Sequence, residues 1–325
     1  MSDLVSLAEI ERAAERLEGV AVRTPLIPFP RAGARRGDGP ELLVKPESLQ
    51  PVGAFKLRGA YATIAGLPED ERRRGVVTHS SGNHAQAVAY TARALGVRAV
   101  LVVPHTTPGV KVEACIALGA EIVYVEPTME ARTGTAEQLA AAHGFTLVPP
   151  FDDARVIAGQ GTVGLEIVRD RPDAGVVLVP VSGGGLIAGV AAAVKAVRPE
   201  IKVIGVEPEL AADARDSHRA GRPVAWEPEE TGRTIADALR AQRVGDLTFA
   251  HIRELVDGFV AVSEEEIRLA MRRLAREARL VAEPGGAVAT AAYLFHRDEL
   301  PVARTHVSVL SGGNVDPALF LDVLG

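Results

Sequence analysis

The sequence predicts an α/β protein of two units, each a mainly parallel sheet flanked by helices. Three observations carry this. Short β-rich runs alternate with helix-period segments along the chain, the pattern of a parallel sheet covered on both faces. Three glycine-containing polar turns follow directly on strand runs, where ligands sit in such sheets. The block 51–145 is a self-contained set of βα units, with no linker or low-complexity tract on either side. It is expected to form a small domain, with 1–50 and 146–325 together forming a large one.

The elements justify this in order. A helix is expected over roughly 6–18. A strand at 76–79 precedes a helix that opens at Asn83 and stops at Gly96. A strand at 98–103 leads to a helix ending at Gly119, and another strand occupies 121–125. A helix near 130–143 leads to a strand at 146–148. A strand at 176–181 leads to a helix reaching residue 197, and 202–206 is again a strand. A strand at 259–262 precedes a helix opened by the capping box Ser263-x-x-Glu266. The last strand is 306–310.

Composition bounds the function. The chain has 325 residues, 47% hydrophobic and 24% charged, which suits a globular enzyme with a large core. Net charge is −6, and no basic run is long or aromatic enough for nucleic acid; Arg72-Arg73-Arg74 reads as a solvated helix end. The single cysteine, Cys115, excludes an intrachain disulfide and a cysteine-based metal cluster. The eight histidines form no HxxH or HxxxH pair, which argues against a zinc site. The N-terminus reads as an acidic helix start, and no stretch approaches membrane-spanning length, so a cytoplasmic protein is expected.

Lysine is scarce, at positions 45, 56, 111, 195 and 202 among 36 basic residues. Lys56 stands in the apolar run Pro51-Val-Gly-Ala-Phe-Lys-Leu-Arg-Gly59. An amine there can lose its proton and form a Schiff base with an aldehyde, whereas a guanidinium does neither usefully. A lone lysine could equally lay its stem over the core. The run 176–181 enters Ser182-Gly-Gly-Gly-Leu186 and then a helix, so successive N–H groups and a helix N-terminus make a phosphate cradle. The same residues, as Gly183-x-Gly-x-x-Ala188 with Glu207 ending the next strand, also fit a dinucleotide fingerprint. That reading leaves Lys56 without a role. Ser80-Ser-Gly-Asn-His84 either caps a helix or holds a carboxylate. Ser311-Gly-Gly-Asn314 follows the last strand in the same way, and three such turns point to one pocket.

A Schiff-base lysine, a phosphate cradle and two polar turns describe a site for pyridoxal 5'-phosphate (PLP). Here the chain resembles the serine/threonine dehydratase and serine racemase family of fold-type II PLP enzymes, of the tryptophan synthase β-like fold. The agreement runs from about residue 20 to 318. The motifs Gly-Ala-Phe-Lys-Leu-Arg-Gly-Ala, Ser-Ser-Gly-Asn-His-Ala-Gln, Ala158-Gly-Gln-Gly-Thr162, Ser-Gly-Gly-Gly-Leu, Thr234-Ile-Ala-Asp237, Glu283-Pro-Gly-Gly-Ala and Ser-Gly-Gly-Asn-Val-Asp stand in family order.

The resemblance implies roles residue by residue. Lys56 matches the Schiff-base lysine, Phe55 its neighbour against the cofactor, and Asn83 the amide facing the pyridine hydroxyl. Ser182, Gly183, Gly184, Gly185 and Leu186 match the phosphate loop, and Ser311 the hydroxyl at the pyridine nitrogen. Ser80, Ser81, Gly82 and His84 match the turn holding the substrate carboxylate. Ser81 also matches the residue that handles a proton opposite the lysine in racemases. Glu207, Ala211 through its carbonyl, and Asp213 match a divalent-cation site for Mg²⁺, Mn²⁺ or Ca²⁺ seen in part of the family. The bland reading pairs Glu207 with Arg215 and leaves Asp213 solvated.

The function implied is ammonia release from L-threonine or L-serine, giving a 2-oxo acid. The alternatives are a serine racemase with side dehydratase activity, or a dehydratase of another β-hydroxy amino acid such as 3-hydroxyaspartate. Beyond that class stand a nicotinamide-linked oxidoreductase and a PLP binder without catalysis. A homodimer is expected. The chain departs from the family at Ala54 and Ser182, where serine and a fourth glycine are common. Pro51 and Val52 replace polar residues that bind nucleotide in eukaryotic racemases, which argues against racemase as the main activity.

Overall fold

The computed structural model describes residues 4–30 and 40–325. Its strands are β1 (Ile27–Pro28), β2 (Glu41–Pro46), β3 (Val76–Thr78), β4 (Ala99–Pro104), β5 (Glu121–Val125), β6 (Thr146–Leu147), β7 (Val176–Pro180), β8 (Lys202–Pro208), β9 (Gly258–Val262) and β10 (Thr305–Leu310). They form a six-stranded sheet in the order β1-β2-β10-β7-β8-β9 and a four-stranded sheet in the order β5-β4-β3-β6. All neighbours are parallel except β1, which runs antiparallel to β2 with Ile27 opposite Val44. The α/β class and the two parallel sheets expected from the sequence are both present.

β7 and β10 are buried along their whole length because helices cover both faces. Successive side chains point to opposite sides. Leu178 and Val206 pack with Met271 and Val288, from helices Glu264–Arg273 and Pro284–Phe295. Val177, Val179 and Val309 face Val163, Val190 and Ile252 on the opposite side. Those belong to helices Ala154–Asp170, Gly185–Val197 and Asp246–Leu255. In the smaller sheet Leu101 and Val103 pack with Leu57, Val88 and Cys115. Val100 and Val102 meet Ala136 of helix Met129–His143.

The two layers meet where helix Lys56–Ala65 crosses Ala154–Asp170. A Cβ on Gly159 would lie 2.6 Å from Gly59 Cα, so glycine is needed for this approach. Gly189 serves the next crossing, where a Cβ would stand 2.3 Å from the Ile157 carbonyl oxygen. The family motif around Gly159 is thus a packing motif.

The expected elements stand within a few residues of their places, and Ser263 and Glu266 form their capping box. The triple arginine ends helix Glu69–Arg74, which buries none of its residues. The expected domain boundary at 145/146 cuts a strand pair, because Val76 and Val77 lie opposite Thr146 and Leu147 and draw β6 into the smaller sheet. Among the described residues no helix is long and apolar enough to cross a membrane.

Candidate active site

Three strand ends build the site. β7 and β10 are neighbours, so the Ser182–Gly185 turn and Ser311 emerge side by side. The residue before the lysine is fastened to the same edge: the Phe55 N–H donates to the Ser311 carbonyl at 3.0 Å, and Ala54 bridges to Gly312. Lys56, the first residue of its helix, is thereby held beside the end of β10. Its Nζ donates to the Pro150 carbonyl at 2.6 Å and stands 5.1 Å from the Phe55 ring centroid. Desolvation lowers the amine pKa from 10.5 to about 8. Among the described residues no carboxylate pairs with it, so the environment shifts the amine toward its neutral, nucleophilic form.

Pro150 leads to Phe151, whose ring fills the space beside the cradle; a Cβ on Gly183 would lie 2.3 Å from it. Gly184 adopts φ +93°, in the left-handed region that suits glycine. Gly183, Gly184 and Gly185 are buried, yet among the described residues their N–H groups meet no protein acceptor. Buried backbone donors without partners call for a ligand or water. At the N-terminus of helix Gly185–Val197 they suit an anion. The Ser182 hydroxyl accepts the Ala241 N–H at 3.2 Å. Glu207 decides against the dinucleotide reading. Its carboxylate is fully buried, held by the N–H groups of Ala214 at 3.0 Å and Arg215 at 2.7 Å, where a bulky ribose does not reach it.

On the smaller sheet, β3 leads into Ser80, Ser81 and Gly82, all half-buried. Gly82 is the N-cap of helix Asn83–Leu95 and no side chain caps it, so the serines are not spent on capping. His84 is buried; its Nε2–H donates to the Val148 carbonyl at 3.0 Å, and its Nδ1 has no partner among the described residues. Desolvation, and then the Lys56 charge, push it down to about pKa 3, so the imidazole is neutral. Asn83 is fixed from both ends. Its Nδ2 donates to Glu283 Oε1 at 2.8 Å, and its Oδ1 accepts from Asn314 Nδ2 at 2.8 Å. Asn314 also donates to the Val52 carbonyl at 2.9 Å. Burial first, then Asp237, raises Glu283 to about pKa 7. Ser311 is buried, its hydroxyl 3.5 Å from the Gly285 carbonyl.

The role of Glu283 escapes sequence reading, since a Glu-Pro pair at a helix start reads as a cap; here the carboxylate turns to Asn83. Arg58 is likewise silent in sequence. It is buried in a cluster with Glu47, Glu166 and Lys45 that joins the lysine-bearing helix to the larger sheet. Away from these turns, Asp213 is buried, neither carboxylate oxygen has a hydrogen-bond partner among the described residues, and burial raises it to about pKa 7. Burial and then Asp213 raise Glu207 well above the carboxylate range. Among the described residues no cluster of three or more His, Cys, Asp or Glu side chains is placed to bind a metal.

The geometry agrees with what is known of similar chains. The family model for pyridoxal-phosphate dependent enzymes matches residues 17–312. An L-threonine ammonia-lyase of Thermotoga maritima is 43% identical over 96% of this chain and 76% of its own length. An L-threo-3-hydroxyaspartate ammonia-lyase of Saccharomyces cerevisiae is 40% identical over 94% of this chain and 91% of its own. The solved structure of maize serine racemase superposes with a TM-score of 0.92 at 36% identity, over 98% of this chain and 96% of that one.

Proposed function

The chain belongs to the pyridoxal-phosphate dependent enzymes, and on that premise we propose that it is an L-threonine/L-serine ammonia-lyase, releasing a 2-oxo acid and ammonia. The observations that carry this are the Lys56 amine, lowered to about pKa 8 and without a carboxylate partner among the described residues, and three buried N–H groups that lack acceptors among those residues. An aldehyde carrying a phosphate fits both. Bound PLP supplies the electron sink that makes the α-proton of an attached amino acid removable.

The chain's own residues supply the rest. Lys56 would hold the cofactor through its amine, and the same amine would serve as the base for the substrate's α-proton. At pH 7 a pKa near 8 instead of 10.5 raises its neutral fraction about 300-fold. Phe55 lies beside the amine, and Gly183, Gly184 and Gly185, with Ser182 and Leu186, cradle the phosphate. Asn83 and Ser311 offer an amide and a neutral hydroxyl to the ring substituents. Ser80, Ser81 and Gly82 take the substrate carboxylate at a helix N-terminus, which favours an anion. His84 supports that turn from behind, without charge. Ser81 is the hydroxyl on which any racemase side activity would turn.

Glu207, the Ala211 carbonyl and Asp213 form the proposed divalent-cation site. Two buried carboxylates, one without a hydrogen-bond partner on either oxygen among the described residues, are the oxygen donors that Mg²⁺, Mn²⁺ or Ca²⁺ takes. The reading also includes a cytoplasmic homodimer.

A panel of L-threonine, L-serine and L-threo-3-hydroxyaspartate, assayed for 2-oxo acid, tests the substrate. L-Threonine or L-serine should lead. Faster turnover of 3-hydroxyaspartate would transfer the assignment to that substrate, and D-serine formed faster than pyruvate would make the protein a racemase.

A further inference from the structure

Thr248 stands outside every sequence motif named above, yet it touches the cradle. Its hydroxyl donates to the Gly183 carbonyl at 2.7 Å, the shorter of its two contacts, the other being the Gly245 carbonyl at 3.2 Å. The Gly245 N–H donates to the same Gly183 oxygen at 3.2 Å. Thr248 also packs on the next residue, since a Cβ on Gly184 would meet its Oγ1 at 2.8 Å. Thr248 is itself placed by Asp152. That carboxylate accepts the N–H groups of Asp246, Leu247 and Thr248 at 3.0–3.1 Å, across the start of helix Asp246–Leu255.

A peptide bond is a rigid plane with its C=O and N–H pointing in opposite directions. The Gly183 carbonyl and the Gly184 N–H belong to one such plane. Two donors that hold the carbonyl toward helix Asp246–Leu255 therefore aim the N–H away from it, where among the described residues no protein group accepts it. Glycine on both sides gives this plane an unusually wide choice of orientations. A fixed donor costs a ligand less than one that must be ordered on binding.

We propose that Thr248 is a positioning residue for the cofactor phosphate, fixing the Gly183–Gly184 peptide plane so that its N–H faces the anion, with Asp152 holding Thr248 in place. This rests on the reading of Ser182–Leu186 as the phosphate cradle.

The test compares apoprotein binding of PLP with that of pyridoxal, which lacks the phosphate, alongside apoprotein melting. Wild type should prefer PLP. Thr248→Val should weaken PLP about tenfold, the scale of one lost hydrogen bond, while leaving pyridoxal unchanged. Thr248→Ser, which keeps the hydroxyl, should bind PLP as wild type does. Should Thr248→Val fail to fold, Thr248→Ala against Thr248→Ser carries the same comparison. Equal weakening of PLP and pyridoxal, or a wild-type PLP affinity in the variant without the hydroxyl, overturns the proposal. A wild-type chain that binds both ligands equally overturns the cradle reading itself.

Discussion

Replacing Arg58 by methionine should lower the melting temperature without touching the reacting groups. Arg58 Nε and Nη2 meet the two oxygens of Glu47 at 2.7 and 2.9 Å, and Nη1 meets Glu166 Oε1 at 2.7 Å and Thr162 Oγ1 at 3.1 Å. The Glu47 side chain is 0% exposed and that of Arg58 1%. Without the guanidinium, Glu47 keeps Thr24 and Gln50 as its hydrogen-bond partners among the described residues, and Glu166 keeps Lys45. Stranding one member of a buried pair costs about 3–5 kcal/mol. Unfolding entropy of about 2.1 cal/mol/K per residue over 325 residues makes this about 4–7 °C. The pH dependence follows. Desolvation would raise Glu47, but Arg58 overcomes it and holds the carboxyl below its ordinary 4.5. A depressed carboxyl stabilises the fold above its unfolded pKa, and that stability is lost as pH falls through its folded pKa. The gap between wild type and variant should therefore narrow in acid. Arg58→Lys should not restore stability, since one ammonium cannot replace the fork. Thermal melting followed by circular dichroism reads all of this. A methionine variant that melts with wild type at pH 7 would refute the cluster as a stabilising tie.

Two further outcomes follow from the pKa shifts. Capture of PLP by apoprotein needs the neutral Lys56 amine, so its rate should rise with pH and level off above about pH 8, with borohydride fixing the label on Lys56. A midpoint near 10.5, or a label on Lys45, Lys111, Lys195 or Lys202, would contradict the site. Asp213 has a raised pKa, so without a cation its ionisation costs stability as pH rises from 3.8 toward about 7. Adding Mg²⁺ after chelation should therefore raise the melting temperature more at pH 8 than at pH 5. No change on chelation and re-addition at either pH would remove the cation from the account.

Much of the fold was legible because parallel strands buried on both faces write themselves as apolar runs, as at Val176–Pro180 and Ala99–Pro104. Strand Glu41–Pro46 was not. Lys45 and Pro46 break its pattern, and the charge is tolerated only because Glu166 and the Thr24 carbonyl receive it from elsewhere in the chain. Helix Ala154–Asp170 hides behind Gly159, Gly161 and Gly164, poor helix formers retained because two helices approach at those positions. The proposed cradle, Lys56 and the serine turn are visible in the sequence because each is a local motif. Glu283, Asn314 and Thr248 were not, because each acts through a partner distant in sequence: Asn83, Asn83 again, and Gly183. The serine turn admitted a capping role by sequence alone; the uncapped helix at Gly82 removes it.

The most direct test is product analysis with L-threonine on PLP-loaded protein, wild type beside Lys56→Ala. Wild type should release 2-oxobutanoate and ammonia in equal amounts, and Lys56→Ala should release neither even when loaded with PLP. PLP-loaded wild type that forms no 2-oxo acid from L-threonine or L-serine, or a Lys56→Ala variant that turns over as fast as wild type, would contradict the proposed activity and its lysine.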